Sequence, residues 1–151
     1  MALAAGVAAI AAAPARGQGP PATEAAAGAA VALARPGFWG PELGVARRPG
    51  GQGRLALAVA AGDYEGVFGV RVAATAQFLL NPAARAGVTP YAGLGLAFVG
   101  AGGVRGAGYL AAVVGLESAG GRRAGWYGEL GLSGGVRLAV GRRWRRLPAG
   151  W

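Results

Sequence analysis

The chain reads as an all-β protein, specifically a small up-and-down antiparallel transmembrane β-barrel, most economically of eight strands. Three observations predict this. First, Val67–Leu80 (VFGVRVAATAQFLL) alternates: Phe68, Val70, Val72, Ala74, Ala76, Phe78 and Leu80 are apolar, while Gly69, Arg71, Ala73, Thr75 and Gln77 between them are small or polar. Successive strand side chains point to opposite faces, so this strand has one greasy face and one small, polar face. The stretch from Phe68 to Phe78 matches the ~9–11 residues a tilted strand needs to cross the hydrocarbon layer. Second, 54% of the residues are hydrophobic and 14% charged, against the ~25% charged of ordinary soluble domains. Third, Gly, Pro, Asn and Arg clusters cut the rest of the chain into strand-length pieces, and no apolar run reaches the ~18–20 residues of a spanning helix.

Taken in order, Ala2–Ala15 (ALAAGVAAIAAAPA) has the length of a signal-peptide apolar region and ends in a small-x-small cleavage pattern at Ala13-Pro14-Ala15. Residues 1–15 are therefore expected to be a signal peptide cleaved before Arg16. A start codon further upstream would supply the basic residues that its front lacks. Residues 16–37 are rich in Pro, Ala and Gly and read as a linker or a poor first strand, the latter in Ala29–Arg35. Seven strands then follow: Trp39–Arg47, Gly53–Ala61, Val67–Leu80, Val88–Val99, Gly108–Glu117, Gly125–Leu132 and Val136–Arg145. Gly62–Gly66 is expected to turn, Gly100–Gly106 to form a Gly-rich loop, and Ser133-Gly134-Gly135 to close a hairpin. The barrel would thus occupy 38–145, with 146–151 as a C-terminal tail. Short connections favour a meander, and closure removes the exposed edges that so apolar a sheet would otherwise present.

Polarity decides which face is outside. From Val67 onward the less greasy face carries only Arg71, Gln77, Glu117, Glu129, Arg137 and Arg143 as strongly polar members. A solvated exterior wants more charge, whereas a narrow lumen wants small residues, tyrosines and mutually satisfying charges. Arg71, Glu117, Glu129 and Arg137 are the candidate lumen ion pairs. With alternating strands, Phe78, Trp126 and Trp144 fall at one rim of the outward face and Phe68 and Phe98 at the other, as interfacial aromatic girdles do. Arg47, Arg48, Arg85, Arg122, Arg123, Arg145 and Arg146 are assigned to the first, periplasmic rim, and Asp63 and Glu65 to the other.

Three pieces resemble small outer-membrane β-barrel proteins of Gram-negative bacteria, the OmpA/OmpX-like eight-stranded type. Thr89-Pro90-Tyr91-Ala92-Gly93-Leu94-Gly95 resembles a PYxGxG strand opening, and Gly115-Leu116-Glu117 a strand end seen there. Val136–Trp144 resembles the C-terminal signal read by the barrel-assembly machinery, although Arg145–Trp151 follows it. The resemblance covers Phe38–Trp144. It implies location in the bacterial outer membrane, membrane lipid and the outer-membrane assembly machinery as partners, and an even strand number, so that either Ala29–Arg35 is a further strand or one of the seven is not a strand. A monomer is expected.

No enzymatic chemistry is expected. The chain has no His and no Cys, so Ser–His and thiol nucleophiles are impossible, and its carboxylates are too sparse to ligate a metal. No cofactor is expected. The net charge of +9 comes entirely from arginines placed at strand ends rather than along one face, which favours anionic phospholipid or periplasmic polymers over nucleic acid. The expected function is a structural, anchoring or partner-binding outer-membrane barrel whose lumen is filled by side chains, not an open pore. The alternative is a soluble secreted barrel binding a small apolar ligand.

Overall fold

The computed structural model describes residues 19–151; the expected signal peptide lies outside them. Eight antiparallel strands, β1 (Ala22–Leu33), β2 (Phe38–Gly50), β3 (Gly53–Tyr64), β4 (Val67–Leu79), β5 (Val88–Ala101), β6 (Val104–Ser118), β7 (Ala124–Leu132) and β8 (Val136–Arg146), form a closed up-and-down barrel in sequence order. Pairing of β1 with β8 closes it, from Thr23 opposite Arg146 to Leu33 opposite Val136.

The eighth strand is β1. It begins at Ala22, so the segment read as a linker or as a poor strand over Ala29–Arg35 holds a strand that starts well before Ala29. Its alternation is faint because alanine occupies both faces: Ala25, Ala27 and Ala29 point out, and Ala26 and Ala30 point in with Glu24. Two further boundaries differ from expectation. β3 keeps pairing with β4 to Tyr64 opposite Val67, so the turn shrinks to 65–66. Both residues there have positive φ, and the Asp63 carboxylate accepts from the Gly66 amide at 3.1 Å, which is the backbone a right-twisted two-residue hairpin requires. β5 and β6 pair out to Ala101 opposite Val104, so much of the expected Gly-rich loop is strand.

Alternation then sorts the side chains. Leu55, Leu94, Leu96, Leu110, Leu132 and Val140 stand on the outer wall, Leu110 at 82% exposure. The two ends differ. Connections 34–37, 65–66, 102–103 and 133–135 are tight at one end; at the end holding the termini, 80–87 and 119–123 are longer and fold across the mouth. There Thr89 Oγ1 donates to the Asn81 carbonyl at 3.1 Å and accepts from the Gly120 amide at 3.2 Å, while Gly121 N donates to Ala84 O at 2.7 Å.

Candidate functional site

The lumen gathers ten of the fifteen charged residues that the strands carry. Glu24, Glu42, Glu117 and Glu129 point inward with Arg48, Arg54, Arg71, Arg137, Arg143 and Arg145. Four carboxylates thus face six guanidinium groups, and a buried charge persists only where it is paired and hydrogen-bonded.

Toward the termini, Glu24 and Glu117 serve four arginines. Glu24 meets Arg48 at 2.8 Å and Arg54 at 3.2 Å. Glu117 meets Arg54 at 2.7 Å and Arg145 at 3.1 Å, and also pairs with Arg143. The surplus guanidinium donors turn to dipoles and rings. Arg48 donates to the carbonyls of Pro82 at 3.1 Å and Gly120 at 3.0 Å, stapling both longer connections over the barrel end. Arg145 donates to the Arg122 carbonyl at 3.2 Å. Arg54 donates to Gln77 Oε1 at 2.7 Å and lies 4.5 Å from the centroid of Tyr91, and Arg143 lies 4.7 Å from that of Tyr127. Such desolvated cation–ring contacts contribute about 2 kcal/mol each.

In the middle, Tyr91 donates to Glu129 at 2.7 Å, and Arg137 bridges Glu129 at 2.8 Å and Glu42 at 2.6 Å. Tyr91, Gly115 and Glu129 lie opposite one another on β5, β6 and β7. Glycine at 115 lets the tyrosine cross the intervening strand, since a Cβ there would stand 2.4 Å from the ring. Nearer the tight-turn end, Arg71 donates to Oγ and, at 3.5 Å, the carbonyl of Ser133. Beyond it Phe38, Tyr64 and Val99, with Tyr109 against them, close that end with apolar packing. A cavity of ≈ 60 Å³ remains, lined by Arg71, Thr75, Gln77, Glu129 and Arg137 among others. It has room for a few waters and not for a continuous channel.

Among the four lumen candidates, the structure brings Glu129 and Arg137 together; Glu117 pairs with arginines outside that set, and Arg71 meets a serine rather than a carboxylate. Sequence reasoning missed Glu24, Glu42, Arg48, Arg54 and Arg145 as members of the cluster, and it placed Arg143 on the lumen face without naming it for an ion pair. Arg48 and Arg145 were assigned to the periplasmic rim but are 1% and 4% exposed. Their parity held the signal, since Arg48 shares a face with Glu42 and Arg145 with Arg137. Phe68, Phe78, Phe98, Trp126 and Trp144 all point outward and are exposed. Phe78, Trp126 and Trp144 lie toward the termini end, and Phe68 and Phe98 toward the other. Trp39, also outward and exposed, joins the latter pair. Among the described residues no group of three or more His, Cys, Asp or Glu is placed to hold a metal ion.

A closed eight-stranded meander with a packed polar lumen and an apolar outer wall is the architecture of small outer-membrane barrels, and solved structures of that class superimpose on this chain. The N-terminal β-barrel domain of Pseudomonas aeruginosa OprF matches with a TM-score of 0.68 at 14% identity, covering 85% of this chain and 99% of that one. Neisserial surface protein A matches with a TM-score of 0.60 at 17% identity over 85% of this chain and 98% of that one. Ail, the attachment invasion locus protein of Yersinia pestis, solved with the heparin analogue sucrose octasulfate, gives 0.54 at 15% identity, covering 84% and 99%. At these identities the likeness is one of fold. No protein-family model matches the sequence, and no curated protein is similar to it.

Proposed function

We propose that the chain is a bacterial outer-membrane barrel that serves as an anchor or partner-binding scaffold, without catalytic activity and without an open pore. The observation that carries this reading is the outer wall. Large apolar side chains cover it between the rims, including Leu94 at 70% and Leu96 at 64% exposure, and aromatics stand toward both ends. In water such a surface, far larger than the few hundred Å² of apolar patch that monomers usually expose, would drive aggregation. In a bilayer it is the expected solvent contact. The soluble alternative needs an apolar interior for its ligand, and the middle of the lumen holds Glu42, Glu129, Arg71 and Arg137 instead. The lumen's packing supports a scaffold over a pore.

The test is to refold the protein into detergent and into phosphatidylcholine vesicles, then run it on a gel with and without boiling. A membrane barrel requires the amphiphile, resists protease once inserted and migrates differently when unheated. A protein that stays monodisperse and folded without detergent overturns the reading. Solute efflux from the same vesicles, above the protein-free rate, would overturn the closed-lumen part alone.

A further inference from the structure

The rim at the termini end is charged on its outside in a way the lumen cannot answer. The chain has six acidic residues. Glu24, Glu42, Glu117 and Glu129 are committed inside, and Asp63 and Glu65 belong to the β3–β4 hairpin at the opposite end. Arg47, Arg85, Arg122, Arg123 and Arg146, all exposed near the termini end, and Arg142, exposed nearer the middle of β8, therefore have no acidic side chain of this chain beside them.

Three of these arginines stand on the barrel wall around β1. Thr23 is opposite Arg47 on one side and Arg146 on the other; Ala25 is opposite Val45 and Trp144; Ala27 is opposite Leu43 and Arg142. Two strand spacings separate Arg47 from Arg146, about 10 Å, a gap two guanidinium groups can close on one phosphate. Between the flanking side chains β1 presents only Thr23, Ala25, Ala27 and Ala29, which makes a furrow. The furrow continues past mid-strand into a depression lined by Val31, Trp39, Pro41, Leu138 and Val140. Arg142 adds an independent argument. It faces outward four residues inside Arg146, opposite Trp126 and Ala27, where the wall meets lipid. An unpaired cation there is costly in proportion to its depth unless an anion from the lipid side meets it.

We propose that this wall binds one anionic glycerophospholipid, with the headgroup phosphate held by Arg47, Arg142 and Arg146 and an acyl chain laid along the alanine furrow of β1. Charge selects the headgroup, since guanidinium forks match phosphate oxygens and the wall offers no acid to repel them. The small residues select a lipid over a soluble phosphate, because they let a methylene chain lie against the sheet between Trp144 and Val45. The proposal rests on the membrane reading above.

The test uses the full barrel in phosphatidylcholine vesicles carrying traces of spin-labelled phosphatidylglycerol or phosphatidylcholine. Heat-shifted migration is scored first, so that failure to insert counts against the membrane reading and failure of selectivity counts against the lipid site. The inserted wild type should hold phosphatidylglycerol about fivefold more strongly, the factor set by ~1 kcal/mol of surface charge attraction. The triple change Arg47→Gln/Arg142→Gln/Arg146→Gln should abolish the preference, and Arg85→Gln/Arg122→Gln/Arg123→Gln should keep it. Ala27→Phe, which fills the furrow and leaves every charge, should also weaken it. Glycerol 3-phosphate in the buffer should not compete; competition would assign the site to soluble phosphates and overturn the lipid. Equal losses in the two triple variants would reduce the effect to general rim charge and overturn the site.

Discussion

Lumen and outer wall are made from alternate residues of the same eight strands, yet their cohesion has different origins. On the membrane reading proposed above, the wall is held by its solvent: Leu94, Leu96 and Leu110 stand exposed in one cross-strand neighbourhood on β5 and β6 and need no partner beyond lipid. The lumen is held by specific partners, and removing one strands the others. The difference teaches where such a chain can vary. An apolar wall residue can be exchanged for another with little consequence, whereas Glu117, touched by Arg54, Arg143 and Arg145, cannot.

The largest expected effect tests that contrast inside the lumen. Glu117→Gln keeps the shape and deletes the charge that three buried arginines share, so unfolding free energy in vesicles should fall by about 3–5 kcal/mol. Arg71→Met, which removes a buried cation bonded to Ser133 rather than to a carboxylate, should cost about 1 kcal/mol or less. Urea titrations followed by tryptophan fluorescence measure both. Equal losses would mean that lumen cohesion comes from packing, not ion pairing.

The next effect compares wall with lumen directly. Leu96→Arg, at mid-strand between Ala74 and Leu110, should cost about 2–4 kcal/mol in lipid and much less in a detergent micelle that deforms around the charge. Ala73→Arg points inward between Ala58 and Ala97, so its penalty is steric and should be the same in both media. A medium-dependent penalty at Ala73 and not at Leu96 would exchange the two faces and with them the membrane reading.

How much of this was legible beforehand follows the same division. The wall was readable because Phe68–Leu80 and Ala92–Phe98 repeat an apolar residue every second position, a pattern that needs no knowledge of neighbours. β1 was obscured because alanine sits on both of its faces and leaves Glu24 as the lone inward marker. The lumen partnerships were out of reach for a different reason. Arg137 and Glu42 are separated by 95 positions and meet because closure brings β8 and β2 to opposite sides of β1, with their side chains converging inside. Parity could have placed Arg48, Arg54 and Arg145 inside; it could not have said which carboxylate each would find.

The last comparison lies at the last strand, where assembly and stability should separate. Trp144 is outward, 45% exposed and opposite Ala25 and Ala124; losing it from the finished barrel removes only part of one interfacial side chain, about 1–2 kcal/mol. If Val136, Leu138, Val140 and Trp144 also form the sorting signal, Trp144→Ala should reduce the amount of barrel reaching the outer membrane by far more than that loss explains. Trp151 follows β8 beyond Pro148 and Gly150, both of which interrupt strand alternation, and its ring meets only the Arg85 guanidinium at 5.6 Å among cation–ring contacts. Trp151→Ala should therefore leave both quantities unchanged. Membrane levels of the two variants, set beside their unfolding free energies in vesicles, separate recognition of the unfolded chain from cohesion of the folded one. A dependence on Trp151 and not on Trp144 would move the recognised register to the tail and leave the outward row of β8 with no role beyond contact with lipid.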